Sequence, residues 1–151
     1  MDFKIENTIW DHGFELLYRP ADYSFDVVPR PSGAISSVLV NDLELEVNDE
    51  GIVLCATGLC PHTGWERTTH GPPDATRRTL RVEASDGWVP GISKRLTSPS
   101  AWRMFVNQTA GSVCVGNPEA RTEGVEFAPG CVAVLEDKRL VALWLRPKEL
   151  P

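Results

Sequence analysis

Cys131-Val132-Ala133-Val134-Leu135-Glu136-Asp137-Lys138-Arg139-Leu140-Val141-Ala142-Leu143-Trp144-Leu145-Arg146 is the stretch that decides the fold. Two apolar runs rich in β-branched and aromatic residues flank one short charged cluster, Glu136 to Arg139, which is the pattern of a β-hairpin. In the second run the alternate sets Leu140/Ala142/Trp144 and Val141/Leu143/Leu145 are both apolar. A strand apolar on both sides is a strand covered on both sides, so this segment is expected at the centre of a sheet with Trp144 buried.

Outward from that hairpin the chain keeps the same grammar. Asp42-Leu43-Glu44-Leu45-Glu46-Val47 alternates strictly, Asn48-Asp49-Glu50-Gly51 supplies a turn, and Ile52–Ala56 returns as an apolar strand. Phe3–Glu6, Phe14–Tyr18, Phe25–Val28, Ala34–Val40, Thr79–Ala84, Ser112–Val115 and Gly124–Ala128 read as further strands. Between Ser98 and Gly111 the signals compete. Ser98 with Pro99 suits a helix start and Trp102/Phe105/Val106 fit helical spacing, while Trp102/Met104/Val106 fit a strand; the balance favours a short helix. Twelve Gly and twelve Pro are spread along the chain and favour many short strands over helices. The expectation is a mainly β fold, an antiparallel β-sandwich or partly open barrel of roughly eight to eleven strands with at most one short helix. At 151 residues, all of it fits a single domain, 1–151.

Charge is distributed unevenly. Residues 1–62 hold eleven Asp or Glu against three Lys or Arg, and residues 63–151 hold ten against twelve. An acidic half argues against a nucleic-acid ligand, which needs a basic footprint. The first residues alternate charged and apolar with no hydrophobic core of a signal peptide, and no uncharged run approaches membrane-spanning length. The expected compartment is therefore the cytoplasm, without membrane association, and Cys55, Cys60, Cys114 and Cys131 are expected as reduced thiols.

Chemical motifs are sparse. Cys60-Pro61-His62 matches the Cys-x-His half of a Rieske iron–sulfur motif, but the region from Pro72 to Leu80 lacks the Cys and His of the other half, and the likeness is rejected. Cys55, Cys60, His62 and His70 are of zinc-binding type at an awkward spacing, and Cys60 with His62 and Asp74 makes a formal nucleophile, base and orienter. Neither has a recognisable surrounding signature, so no metal and no cofactor are expected and no residue is assigned a catalytic role.

Two long loops, 57–78 and 85–98, each carry a tryptophan, Trp65 and Trp88, beside Gly and Pro. The residues expected to bind a partner are accordingly Asp42, Glu44, Glu46, Asp49, Glu50, Trp65 and Trp88. Carboxylates on one strand face steer a basic protein, and a loop aromatic anchors it. The functional expectation is a non-enzymatic cytosolic protein-binding module, of which a toxin-neutralising, immunity-type protein is the kind that fits the physics. The alternative is a β-barrel that binds or processes a small molecule, for example a sugar, in a pocket between the two loops. A competing structural account pairs the acidic face with Arg77, Arg78 and Arg81, and folds both tryptophans back as lids.

Overall fold

The computed structural model describes residues 1–97 and 100–151. In chain order the strands are β1 (Asp2–Ile5), β2 (Glu15–Arg19), β3 (Ser24–Val28), β4 (Ser36–Val40), β5 (Leu43–Val47), β6 (Val53–Leu59), β7 (Glu66–Arg67), β8 (Thr76–Arg77), β9 (Leu80–Glu83), β10 (Lys94–Arg95), β11 (Met104–Asn107), β12 (Ser112–Gly116), β13 (Glu123–Ala128), β14 (Cys131–Glu136) and β15 (Arg139–Leu145). Two three-residue 3-10 turns, at Pro20–Asp22 and His62–Gly64, are the helical elements among the described residues. The fold is thus mainly β, as the periodicity predicts. The count exceeds the expected range because β7, β8 and β10 are two-residue pairings inside the long loops, too short to leave a periodic trace, and because β11 falls in the segment expected as a helix.

The strands form a sandwich. One layer has six strands in the order β10-β4-β5-β6-β3-β2, and the other has seven in the order β7-β11-β12-β15-β14-β13-β8. Val27, Val38, Leu43, Leu45 and Val47 of the first meet Val113, Phe127, Ala133, Leu143 and Leu145 of the second in one buried cluster. A two-stranded ribbon, β1 with β9, links the layers at one side. Phe3 N–H donates to Lys138 O at 2.7 Å, and Val82 N–H donates to Gly51 O at 2.8 Å, so one ribbon strand is tied to each layer.

β15 is the middle strand of the seven, and Trp144 is 1% exposed. Its two faces divide differently from simple alternation. Leu140, Leu143 and Leu145 face the main core, whereas Ala142 and Trp144 join Cys114, Ala120 and Val134 in a second cluster on the outer face. A bulge shifts the β14–β15 register, with Val134 opposite Ala142 and Leu135 opposite Leu140, so one extra residue, Val141, flips the parity. The hairpin loop is Asp137-Lys138, both left-handed at φ 50° and 64°, the two-residue turn whose twist matches the flanking strands.

The segment expected as a short helix is different. Its proposed start at Ser98 and Pro99 lies outside the described residues, and beyond it Met104–Asn107 is strand β11, antiparallel to β12. Val106 and Met104 face the main core while Phe105 packs on the outer cluster, so the strand reading of the same residues holds. Gly111, at φ +67°, closes the β11–β12 turn rather than ending a helix. No helix of the described residues is long and apolar enough to cross a membrane.

Candidate functional site

The five acidic residues of 42–50 do not form one open face. Glu46 is 9% exposed: Arg30 Nη2 donates to its Oε2 at 2.8 Å and Thr57 Oγ1 donates to the same atom at 2.6 Å. Arg30 also approaches Asp26 at 3.4 Å, and Arg19 pairs with Asp26 at 3.1 Å, so the outer side of the six-stranded layer carries an alternating ionic chain. Glu44 is half-buried and accepts from Ser37 Oγ at 3.1 Å. Asp42 is exposed in the β4–β5 turn. The cation that neutralises Glu46 is Arg30, not one of the arginines named from the sequence: Arg77 pairs with Glu126 at 3.3 Å, and Arg81 pairs with Glu6 at 2.6 Å and reaches Glu50 at 3.9 Å. Nothing in the sequence spacing marks Arg30, which reaches Glu46 only because β3, β6 and β5 lie side by side.

Asp49 and Glu50 fare differently. They sit at the far end of the β5–β6 hairpin, both exposed, with Glu50 only loosely approached by Arg81 Nη2 at 3.9 Å. Gly51, at φ +80°, follows them, and a Cβ there would come within 2.5 Å of Val82 O and 2.9 Å of Trp88 Nε1. Trp88 therefore lies directly against the acidic turn. It is half-buried against the core edge, and Lys94 Nζ stands 5.5 Å from its ring centre.

The rest of the loop tip completes a corner. Val89 and Ile92 close a turn on each other (Ile92 N–H to Val89 O, 3.1 Å), and the tip is bolted to the start of β4 by Gly91 N–H to Ile35 O at 2.8 Å. Ser36 Oγ donates to Ile92 O at 2.5 Å. Val89 is 51% exposed and Ile92 is 62% exposed. The chain thus holds two bare aliphatic side chains in a fixed position on the loop whose Trp88 meets the Asp49-Glu50 turn at Gly51. Val89 and Ile92 were not singled out from the sequence, because their exposure depends on the backbone bonds that pin the tip.

Trp65 is not part of that corner. It closes the opposite end of β6, packed at 4.9 Å on Tyr18 and stacked at 6.4 Å with Phe25. Its indole Nε1 is buried without a hydrogen-bond partner. Beside it Cys60 is 1% exposed, its Sγ 3.5 Å from Met104 Sδ, and burial pushes its thiol up to about 11. A thiol so held is protonated at neutral pH and is a poor nucleophile. His62 turns Nδ1 toward Tyr18 Oη at 3.3 Å, and His70 pairs with Glu119 at 3.5 Å on the other layer. Among the described residues no group of three or more His, Cys, Asp or Glu is placed to hold a metal ion.

The long loop 57–78 is a strap. β7 forms one edge of the seven-stranded layer, on β11, and β8 forms the other, on β13, so residues 68–75 must cross its whole outer face. Six inter-strand spacings of about 4.8 Å make about 29 Å, and nine residue steps at full extension reach about 30–32 Å. Gly71, Pro72 and Pro73 in the middle favour such an extended run. The crossing is pinned by Thr68 N–H to Val106 O (3.0 Å) and Asn107 Nδ2 to His70 O (2.9 Å). It roofs Trp144 and leaves a cleft of about 260 Å³ lined by Pro72, Pro73, Asp74, Ser112, Glu126, Trp144 and Arg146 among others. The loop 85–98 borders a separate depression with Asp2, Glu83 and Lys94, so the two loops do not share this cleft. The chain matches no protein-family model, and no curated protein is a significant match to it.

Proposed function

We propose that the chain is a single-domain, non-enzymatic cytosolic protein-binding module whose partner is a basic protein, in the manner of a toxin-neutralising immunity protein. The supporting observation is the corner at which Val89 and Ile92 stand exposed on the Trp88 loop while Asp49 and Glu50 stand exposed in the turn that Trp88 meets at Gly51, with Arg81 approaching Glu50 at 3.9 Å. Exposed aliphatic groups held by backbone bonds cost little entropy to bury, so they supply residence time, while the flanking carboxylates supply attraction at range. This narrows the sequence-based set of seven residues to Asp49, Glu50 and Trp88, adds Val89 and Ile92, and assigns Glu46 and Trp65 to stability. Capture from the native source with the wild-type chain and with Val89→Asp/Ile92→Asp tests it. A basic protein retained by the first and lost by the second supports the reading; identical captured sets from both refute it. The cleft beneath the strap favours a second activity, small-molecule binding, at a different place from the pocket expected between the loops.

A further inference from the structure

Trp144 presents an unusual combination. It is 1% exposed, lies at the centre of the seven-stranded layer, and its indole N–H has no hydrogen-bond partner. A buried donor left unmade costs about 1–3 kcal/mol, and proteins rarely keep one without a reason. The same residue lines the cleft beneath the 68–75 strap. At about 260 Å³ that space is far larger than the roughly 30 Å³ a water occupies.

The charged groups around the cleft are equally incomplete. Glu126 is already engaged, by Arg77 at 3.3 Å and by Gly130 N–H at 3.3 Å. Asp74 and Arg146 both line the cleft, yet neither has an ion-pair partner among the described residues, and they do not pair with each other. One anion and one cation without ion-pair partners line the same cleft at exposed positions, and together they complement a small molecule that carries both charges. Val132, Pro72, Pro73 and the covered indole of Trp144 add apolar wall.

We propose that this cleft binds a free α-amino acid as its zwitterion. The ammonium group faces Asp74, the carboxylate faces Arg146 in the forked geometry a guanidinium offers, and the side chain lies under the proline strap. A neutral sugar would leave the two charges unanswered, and Trp144, being almost wholly covered, offers no open ring face for a sugar to stack on. The site is independent of the corner that carries Asp49 and Glu50.

Titration of the ¹⁵N-labelled protein with glycine, leucine, phenylalanine, lysine and glutamate tests the proposal, following the Trp144 indole N–H resonance alongside calorimetry. At least one amino acid should move that resonance saturably, and acetate or methylammonium alone should bind about tenfold or more weaker. Asp74→Asn and Arg146→Gln, both at exposed positions, should each weaken binding by about tenfold while leaving the melting temperature unchanged. The proposal is overturned if no amino acid saturates the signal by about 10 mM, a limit near −2.7 kcal/mol. It is equally overturned if glucose shifts the resonance and amino acids do not, or if both variants bind as tightly as the wild type.

Discussion

At the scale of single residues, the four cysteines show how burial sets chemistry. All are free and buried, and burial raises Cys60 to about 11 and Cys114 and Cys131 to about 12, with Cys55 pushed further in the same direction. A group whose folded-state value lies above its unfolded value keeps a proton that the unfolded chain gives up. Stability from these thiols is therefore complete below about pH 9 and is lost as pH climbs toward 11–12. The slope is at most about 1.4 kcal/mol per pH unit per thiol, and Tyr18, raised to about 12 by burial, adds the same sign above pH 10. Urea midpoints at successive alkaline pH values should fall before backbone hydrolysis intervenes, and Cys114→Ala should flatten the fall; a level profile would contradict the burial. Lys138 makes a second test. At φ 64° it occupies a conformation that glycine adopts freely, and its side chain is exposed. Lys138→Gly should raise stability by about 0.5–1 kcal/mol in denaturant titration, and a loss would show that the side chain does more than the turn geometry implies.

At the scale of elements, what was legible in the sequence follows from how far apart the determining contacts lie. The β14–β15 hairpin and the β5–β6 hairpin were readable because alternation, turn residues and pairing all fall within about twenty residues. The central place of β15 was readable too, since a two-sided apolar strand has only one kind of location in a layered fold. The bulge at Val141 was not, because its effect is a change of parity that the residues themselves permit either way. Nor was the strap: β7 and β8 are two residues each, and their partners lie 38 or more positions away in β11 and β13. Its near-full extension gives an asymmetric prediction. Deleting Thr69 removes about 3.3 Å from a segment with only about 1–3 Å to spare, and should cost about 2 kcal/mol or more through loss of an edge pairing. Inserting a glycine at the same place lengthens a loop and should cost less than about 1 kcal/mol. Equal effects in thermal melts would mean that the strap is slack.

At the scale of the whole molecule, the acidic bias of the first 62 residues contains two clusters with different roles. Asp26, Glu46 and their arginine partners Arg19 and Arg30 form a self-satisfied ionic chain on one outer face. Asp49 and Glu50 stand exposed at the corner, Glu50 only loosely approached by Arg81, where the turn meets the loop that carries Trp88 and the exposed Val89 and Ile92. A sequence-level charge count cannot separate these, because pairing depends on which strands become neighbours. The separation predicts where partner recognition resides. Charge reversal in the satisfied chain should act on stability, since it strands a buried partner, and charge reversal at the corner should act on association. The most direct measurement is the association rate of the captured basic partner with the wild-type chain and with Asp49→Lys/Glu50→Lys, at low and at high salt. The account predicts that the variant associates about tenfold or more slowly at low salt, that high salt closes most of the gap, and that the variant melts within a few degrees of the wild type. An unchanged association rate at low salt would contradict it and remove the corner as the binding site.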